Sequence, residues 1–74
     1  MRIVMEIVKS ENGYVVRENG QWKEGCYETE EVAELAVTNL SDMDLSQLWM
    51  LVLMDNRKAI TMADYESYIS TMQQ

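Results

Sequence analysis

The run Leu48-Trp49-Met50-Leu51-Val52-Leu53-Met54 sets the problem that the rest of this 74-residue chain has to solve. Seven consecutive apolar side chains cannot share one face of a helix or of a strand, whose side chains repeat every 3.6 and 2.0 residues. A bilayer core takes roughly 20 apolar residues, so the run is not a membrane span. It is either a helix buried on nearly all sides or a helix with one face in the core and another against a partner.

The flanking residues place the run on a helix with defined ends. Ser41 is an N-cap with an acid three residues on, at Asp44, and Leu40 before the cap can meet Leu45 as a hydrophobic staple. The helix is expected from about Asp42 to Asp55, with Asn56 ending it in the left-handed conformation. Arg57 and Lys58 then complement its C-terminal dipole. On a helical wheel Leu45, Leu48, Trp49 and Val52 form one face. Met43, Gln47, Met50 and Met54 form another, and Leu51 lies with Asp44, Leu48 and Asp55. The first face is expected to pack on a sheet and the methionine face on a third helix, near Met62 and Met72. The alternative is that Met43, Met50 and Met54 line a self-association or partner surface, for which flexible thioethers are suited.

Upstream, the chain reads as a three-stranded antiparallel meander. Ile3 to Lys9 is rich in β-branched residues. Asn12-Gly13 is a two-residue hairpin signal, because both residues tolerate positive φ. Tyr14 to Arg17 is the second strand, a second Glu-Asn-Gly follows at Glu18-Asn19-Gly20, and Gln21 to Tyr27 is the third, with Gly25 as a bulge. Ile3, Met5 and Ile7 face the core. With two-residue turns Tyr14, Val16, Gly25 and Tyr27 join them and Trp22 points outward, whereas a one-residue slip buries Trp22 instead. Thr29 caps a first helix whose opening turn holds Glu30 and Glu31 and whose apolar stripe is Val32, Leu35, Ala36 and Leu40. Thr61 caps a third helix, with Asp64 three residues later and Ile60 able to staple to Tyr65. Its stripe is Tyr65, Ile69 and Met72, bordered by Met62 and Tyr68, with Gln73-Gln74 fraying. The expectation is a single α+β domain over residues 1–74, a three-stranded antiparallel meander followed by three helices packed on one face.

Size and charge narrow the function. A 74-residue domain lies near the lower limit for folding alone, and dimerisation helps such domains. Cys26 is the only cysteine, which argues against a disulfide-stapled secreted domain and reads as a small buried hydrophobe. Glu6 interrupts anything like a signal-peptide core, so the expected location is the cytoplasm, with no targeting segment. The net charge is −7, and its distribution is uneven. Residues 24–55 contain Glu24, Glu28, Glu30, Glu31, Glu34, Asp42, Asp44 and Asp55 and no Lys or Arg. Such a field repels nucleic acid and anionic membranes and attracts basic surfaces.

Nothing in the residues forms a catalytic constellation. Histidine is absent, which removes the commonest general base and metal ligand. There is no Gly-rich phosphate loop, no Gly-x-Ser-x-Gly and no Cys pair. Asp42-x-Asp44 is the best carboxylate pair and reads as helix capping, since further oxygen ligands at loop spacing are missing. No enzyme activity, cofactor or metal is expected.

Two resemblances follow. The pattern Gly13-Tyr14-x-Val16, then Gly20-x-Trp22-Lys23-x-Gly25-x-Tyr27-x-Thr29-x-Glu31-Val32-Ala33, resembles the arm-type DNA-binding domain of phage tyrosine integrases. The likeness covers residues 13–36 and implies a meander running into a helix. In that family basic residues on the sheet meet DNA. Here Arg17 and Lys23 hold those places among Glu18 and Glu24, so a degenerate DNA-binding module is the third-ranked reading. In size, acidity, missing catalytic residues and α+β character, the chain is also similar to small phage-encoded inhibitors of host defence, anti-CRISPR proteins among them. That similarity implies steric or DNA-mimicking blockade of a nucleic-acid-binding complex in a bacterial host, with Glu28, Glu30, Glu31, Glu34, Asp42 and Asp44 supplying the phosphate-like charges. The expected partner is a protein with a basic nucleic-acid-binding surface, with no direct nucleic-acid or membrane contact. The competing expectation is a small dimeric adaptor or regulator working through its methionine face, and a solubilising role alone would also account for the acids.

Overall fold

The computed structural model describes residues 4–72. The expected strand start at Ile3 and the fraying of Gln73-Gln74 lie outside the described residues. The architecture is the expected α+β fold. Strands β1 (Met5–Ser10), β2 (Gly13–Glu18) and β3 (Gln21–Trp22) form an antiparallel sheet in the order β1-β2-β3. Helices α1 (Glu30–Asn39), α2 (Asp42–Met54) and α3 (Met62–Met72) follow.

The two hairpins obey different chemistry. Asn19 and Gly20 both take positive φ, 52° and 84°, and Glu18 pairs with Gln21. This is the two-residue turn that Asn-Gly favours, because its backbone twist matches that of the strands. The first hairpin turns one residue earlier than expected. Ser10 pairs with Gly13, so Glu11 and Asn12 occupy the turn and neither takes positive φ. Gly13 is instead needed at the head of β2. A Cβ there would lie 2.3 Å from the Tyr27 carbonyl oxygen, since the segment around Tyr27 runs directly against it. The change shifts the pairing by two residues and preserves which side chains share a face. Ile7 stands opposite Val16, Val16 is fully buried, and Trp22 points outward beside Arg17.

The third strand is shorter than expected. Regular pairing stops at Trp22, although the Lys23 amide still donates to the Val16 carbonyl. Glu24 and Gly25 then loop out, with Gly25 at φ 112°, and the chain returns at Tyr27. Tyr27 and Tyr14 exchange both backbone hydrogen bonds at 2.7 Å. On its other side the segment meets the α2–α3 connection. Ile60 N–H donates to Cys26 and Glu28 N–H donates to Ile60, each at 2.8 Å. Tyr27, fully buried, therefore knits the sheet to the helices. Its hydroxyl donates to the Glu24 carbonyl, and burial pushes its acidity well below that of an ordinary tyrosine.

All three helix starts follow from their caps. Val32 N–H donates to Thr29 Oγ1, and Asp44 N–H donates to Ser41 Oγ. Thr61 and Asp64 form a full reciprocal box, in which Thr61 N–H and Oγ1 donate to Asp64 Oδ2 while Asp64 N–H donates to Thr61 Oγ1. The α2 terminus is equally definite. Asn56 is left-handed at φ 58°, Asn56 N–H donates to Leu53 and Arg57 N–H donates to Val52. This pair of bonds satisfies the last carbonyls of the helix.

One cluster makes the core: Val16, Tyr27, Val32, Ala33, Ala36, Val37, Leu40, Leu45, Leu48, Val52 and Ile60. Met5, Ile7, Trp49, Met62, Tyr65, Tyr68 and Ile69 pack around it. Two stripe expectations are corrected. On α1 the buried residues are Val32, Ala33, Ala36 and Val37, and Leu35 lies at the exposed margin. Small Ala33 lets the helix approach closely, which rotates the buried arc away from Leu35. On α3 no residue is fully buried and Met72 is exposed, because the last turn runs past the core.

Candidate functional site

The acidic side is built on α1 and the segment entering it. Glu28, Glu30, Glu31 and Glu34 are all exposed. Glu30 and Glu34 are one turn apart, on the same side of the helix. Glu30 and Glu31 also lie where the helix dipole stabilises negative charge. No ion pair among the described residues engages any of these four acids.

Asp42 and Asp44 are placed differently. Asp42, 82% exposed, sits 2.8 Å from Lys23 Nζ. Lys23 also approaches Glu18 at 3.3 Å, and the hydrogen bond to Asp42 leads in raising its pKa. The ammonium group thus ties the segment just after β3 to the start of α2 and to Glu18 at the end of β2. Asp44 is half-buried and faces inward. It accepts from the Ser41 hydroxyl at 2.9 Å and from the Tyr68 hydroxyl at 2.8 Å. These bonds, Tyr68 first, hold its carboxyl below the usual range. Asp44 is a structural acceptor that fastens α3 to α2, and the outward acidic surface reduces to the four glutamates with Asp42 at its border.

The basic side chains expected to face DNA in an integrase-like module are also engaged. Arg17 Nη2 is 2.8 Å from Glu6 Oε1, and its guanidinium lies over the Trp22 ring at 5.4 Å. Arg57 does not serve the α2 dipole in isolation. It grips Asp64 with two nitrogens, at 2.9 and 2.6 Å, and raises its own pKa while lowering that of Asp64. Its Nε comes within 2.8 Å of Asp55 Oδ2 without the alignment of a hydrogen bond.

The opening run resolves into two unlike faces. Leu45, Leu48 and Val52 are buried and Trp49 is half-buried, as the wheel required. Helix α3 touches the methionine face only at Gln47, whose Oε1 lies 2.8 Å from the Tyr68 hydroxyl, and leaves the methionines themselves bare. Met43 is 72% exposed, Met50 58% and Met54 75%; Met62 packs against the core and Met72 is itself exposed. Helix α3 instead lies along the Leu48, Leu51 and Arg57 side, where these residues share a cleft with Asp64, Ser67, Tyr68 and Thr71. The Tyr68 and Arg57 bonds pin it there. Leu51 and Leu53 are also exposed and widen the apolar surface on both flanks of the methionines. The wheel placed Leu51 next to Asp44 and Asp55, which was a usable sign of an outer position, but nothing local marked Leu53.

A second apolar surface is the outer side of the sheet, where Val4, Val8 and Trp22 are exposed. Of the two registers open to Trp22, the pairing of Arg17 with Trp22 selects the one that points it outward. Among the described residues no three acid or thiol side chains converge as a metal-binding group, and no helix is long and apolar enough to cross a membrane. No protein-family model, no curated protein and no solved structure matches the chain.

Proposed function

We propose that this protein works by binding rather than by catalysis, and that it occludes a basic, nucleic-acid-binding surface of a host protein complex. One observation carries the reading: Glu28, Glu30, Glu31 and Glu34 are exposed together, and none of them has an internal cation partner. The acids elsewhere are largely spent on the fold. Asp42, Asp55 and Asp64 meet Lys23 or Arg57, and Asp44 serves Ser41 and Tyr68. An acidic edge left unneutralised across residues 24–34 competes with phosphate for a basic groove. The fitting context is a phage or mobile-element inhibitor acting in the bacterial cytoplasm on nucleic-acid machinery such as a CRISPR effector.

Affinity capture from a bacterial lysate tests this, with the triple charge reversal Glu30→Lys, Glu31→Lys, Glu34→Lys as control. The wild type is expected to retain a nucleic-acid-binding protein and to release it as salt rises above about 0.3 M. The triple variant is expected to stay folded, forgo about 0.3–1 kcal/mol of dipole stabilisation per first-turn acid, and retain nothing. Equal retention by the variant overturns the reading.

A further inference from the structure

The sheet has a second side, turned away from the core, and α2 walls one end of it. Val16 and Tyr27 point into the core, so their neighbours Val15 and Cys26 point the other way. Trp49 and Leu53, one turn apart on α2, stand beside them and complete a groove of about 430 Å³. That volume falls within the roughly 300–1,000 Å³ of small-molecule sites, which are mainly apolar with a few polar groups that orient the ligand. Here the polar groups are Ser10 and Asn12 at the first hairpin turn and Lys58. The Ser10 hydroxyl is occupied, donating to the Gly13 carbonyl at 3.3 Å, with Cys26 Sγ at 3.7 Å. Lys58 is exposed and is the one charged residue of the lining. It takes part in none of the ion pairs among the described residues, whereas Arg17, Lys23 and Arg57 are each paired and Lys9 lies over the Tyr14 ring. In a chain of net charge −7, an apolar groove lined by one unpaired cation and no acid inverts the prevailing field.

We propose that this groove binds a small amphipathic carboxylate, its aliphatic body along Val15, Trp49 and Leu53 and its charged end on Lys58. Charge selects the class. A single ammonium group without a neighbouring acid in the lining matches a single negative charge, which a carboxylate carries and a phosphate monoester exceeds. A cationic amphiphile would meet Lys58 as a like charge, and a neutral one would gain nothing from it. The apolar wall supplies the affinity, because burying a hydrocarbon chain against Trp49 and Leu53 removes its surface from water. The groove shares no residue with the acidic edge formed by Glu28, Glu30, Glu31 and Glu34.

Tryptophan fluorescence reads the result. The chain has two tryptophans, and Trp22→Phe removes the exposed one and leaves Trp49 as the reporter. Decanoate, titrated below its micellar concentration, is expected to shift the Trp49 emission to shorter wavelength with half-saturation below about 1 mM. Decylamine, with the same tail and a cationic head, is expected to bind at least about tenfold more weakly. Lys58→Gln weakens decanoate binding by about threefold to tenfold, and Leu53→Glu abolishes the saturable shift. In the wild type, decanoate slows alkylation of Cys26 by iodoacetamide, a readout independent of the Trp22→Phe background. Far-ultraviolet circular dichroism stays unchanged throughout. No saturable shift and no protection of Cys26 overturn the proposal. Equal binding of decanoate and decylamine, indifference to Lys58→Gln, or a shift that comes with loss of the helical signal overturns it as well. The triple charge reversal at Glu30, Glu31 and Glu34 leaves the decanoate shift in place, so the groove and the acidic edge fail separately.

Discussion

Helices α1 and α2 follow each other directly, begin with similar caps, and bury one face each in the same core, yet their outer faces have opposite chemistry. The outward side of α1 carries Glu30, Glu31 and Glu34, while that of α2 carries Met43, Met50 and Met54. The molecule is a slab 33 by 30 by 18 Å. Helix axes pack 8–10 Å apart, so a slab this thin holds two layers and each helix keeps one side toward solvent. The outer face of α2 therefore stays apolar and exposed, whereas that of α1 is acidic.

That contrast can be broken most directly inside α2. Leu48→Ala empties a core position and should cost about 2–5 kcal/mol in denaturant unfolding. Leu51→Ala, three residues away on the outer side, should cost well under half of that. Similar losses at the two positions would mean that both faces stabilise the monomer. The next effect concerns the corner that aims α3 away from the methionines. Asp64→Asn removes the Thr61 box and the Arg57 grip, and should cost about 1–2 kcal/mol. It should also flatten the acid limb of the stability curve. The carboxyls of Asp64 and Asp44 are lowered on folding. Their stabilisation is fully present above the unfolded value near pH 3.9 and disappears as pH falls through the lowered folded values. A variant as acid-sensitive as the wild type would remove Asp64 from that role. The smallest effect is Met50→Ala, expected within about 0.5 kcal/mol. A larger loss there would show that the outer face packs after all.

Local chemistry was legible wherever two or three neighbouring residues settle a backbone state. The caps at Thr29, Ser41 and Thr61, the Asn19-Gly20 turn and the left-handed Asn56 all occur as their residue types require. Face alternation likewise put Val16 and Tyr27 inside and left Trp22 outside in the two-residue-turn register. The first hairpin departs from the local rule because Asn12-Gly13 fits a two-residue turn while Gly13 answers a distant demand, the approach of the Tyr27 backbone. The break after Trp22 was hidden for the same reason. The partner that draws Tyr27 away from a regular third strand is Ile60, thirty-three residues downstream.

Of the candidate surfaces, the four glutamates could be read as outward from the α1 wheel alone. Asp42 and Asp44 could not be told apart from them, because their partners Lys23 and Tyr68 come from other elements. The apolar run shows the division most clearly. By itself the sequence determined that residues 42–54 are helical, where that helix begins and ends, and that Leu45, Leu48 and Val52 share its buried face, since each follows from spacing and caps within a few residues. Tertiary structure decided what becomes of the other face. The Arg57–Asp64 and Tyr68–Asp44 bonds set α3 against one flank of α2 and leave Met43, Met50 and Met54 bare, and an angle between helices is a property of distant side chains that no local pattern encodes.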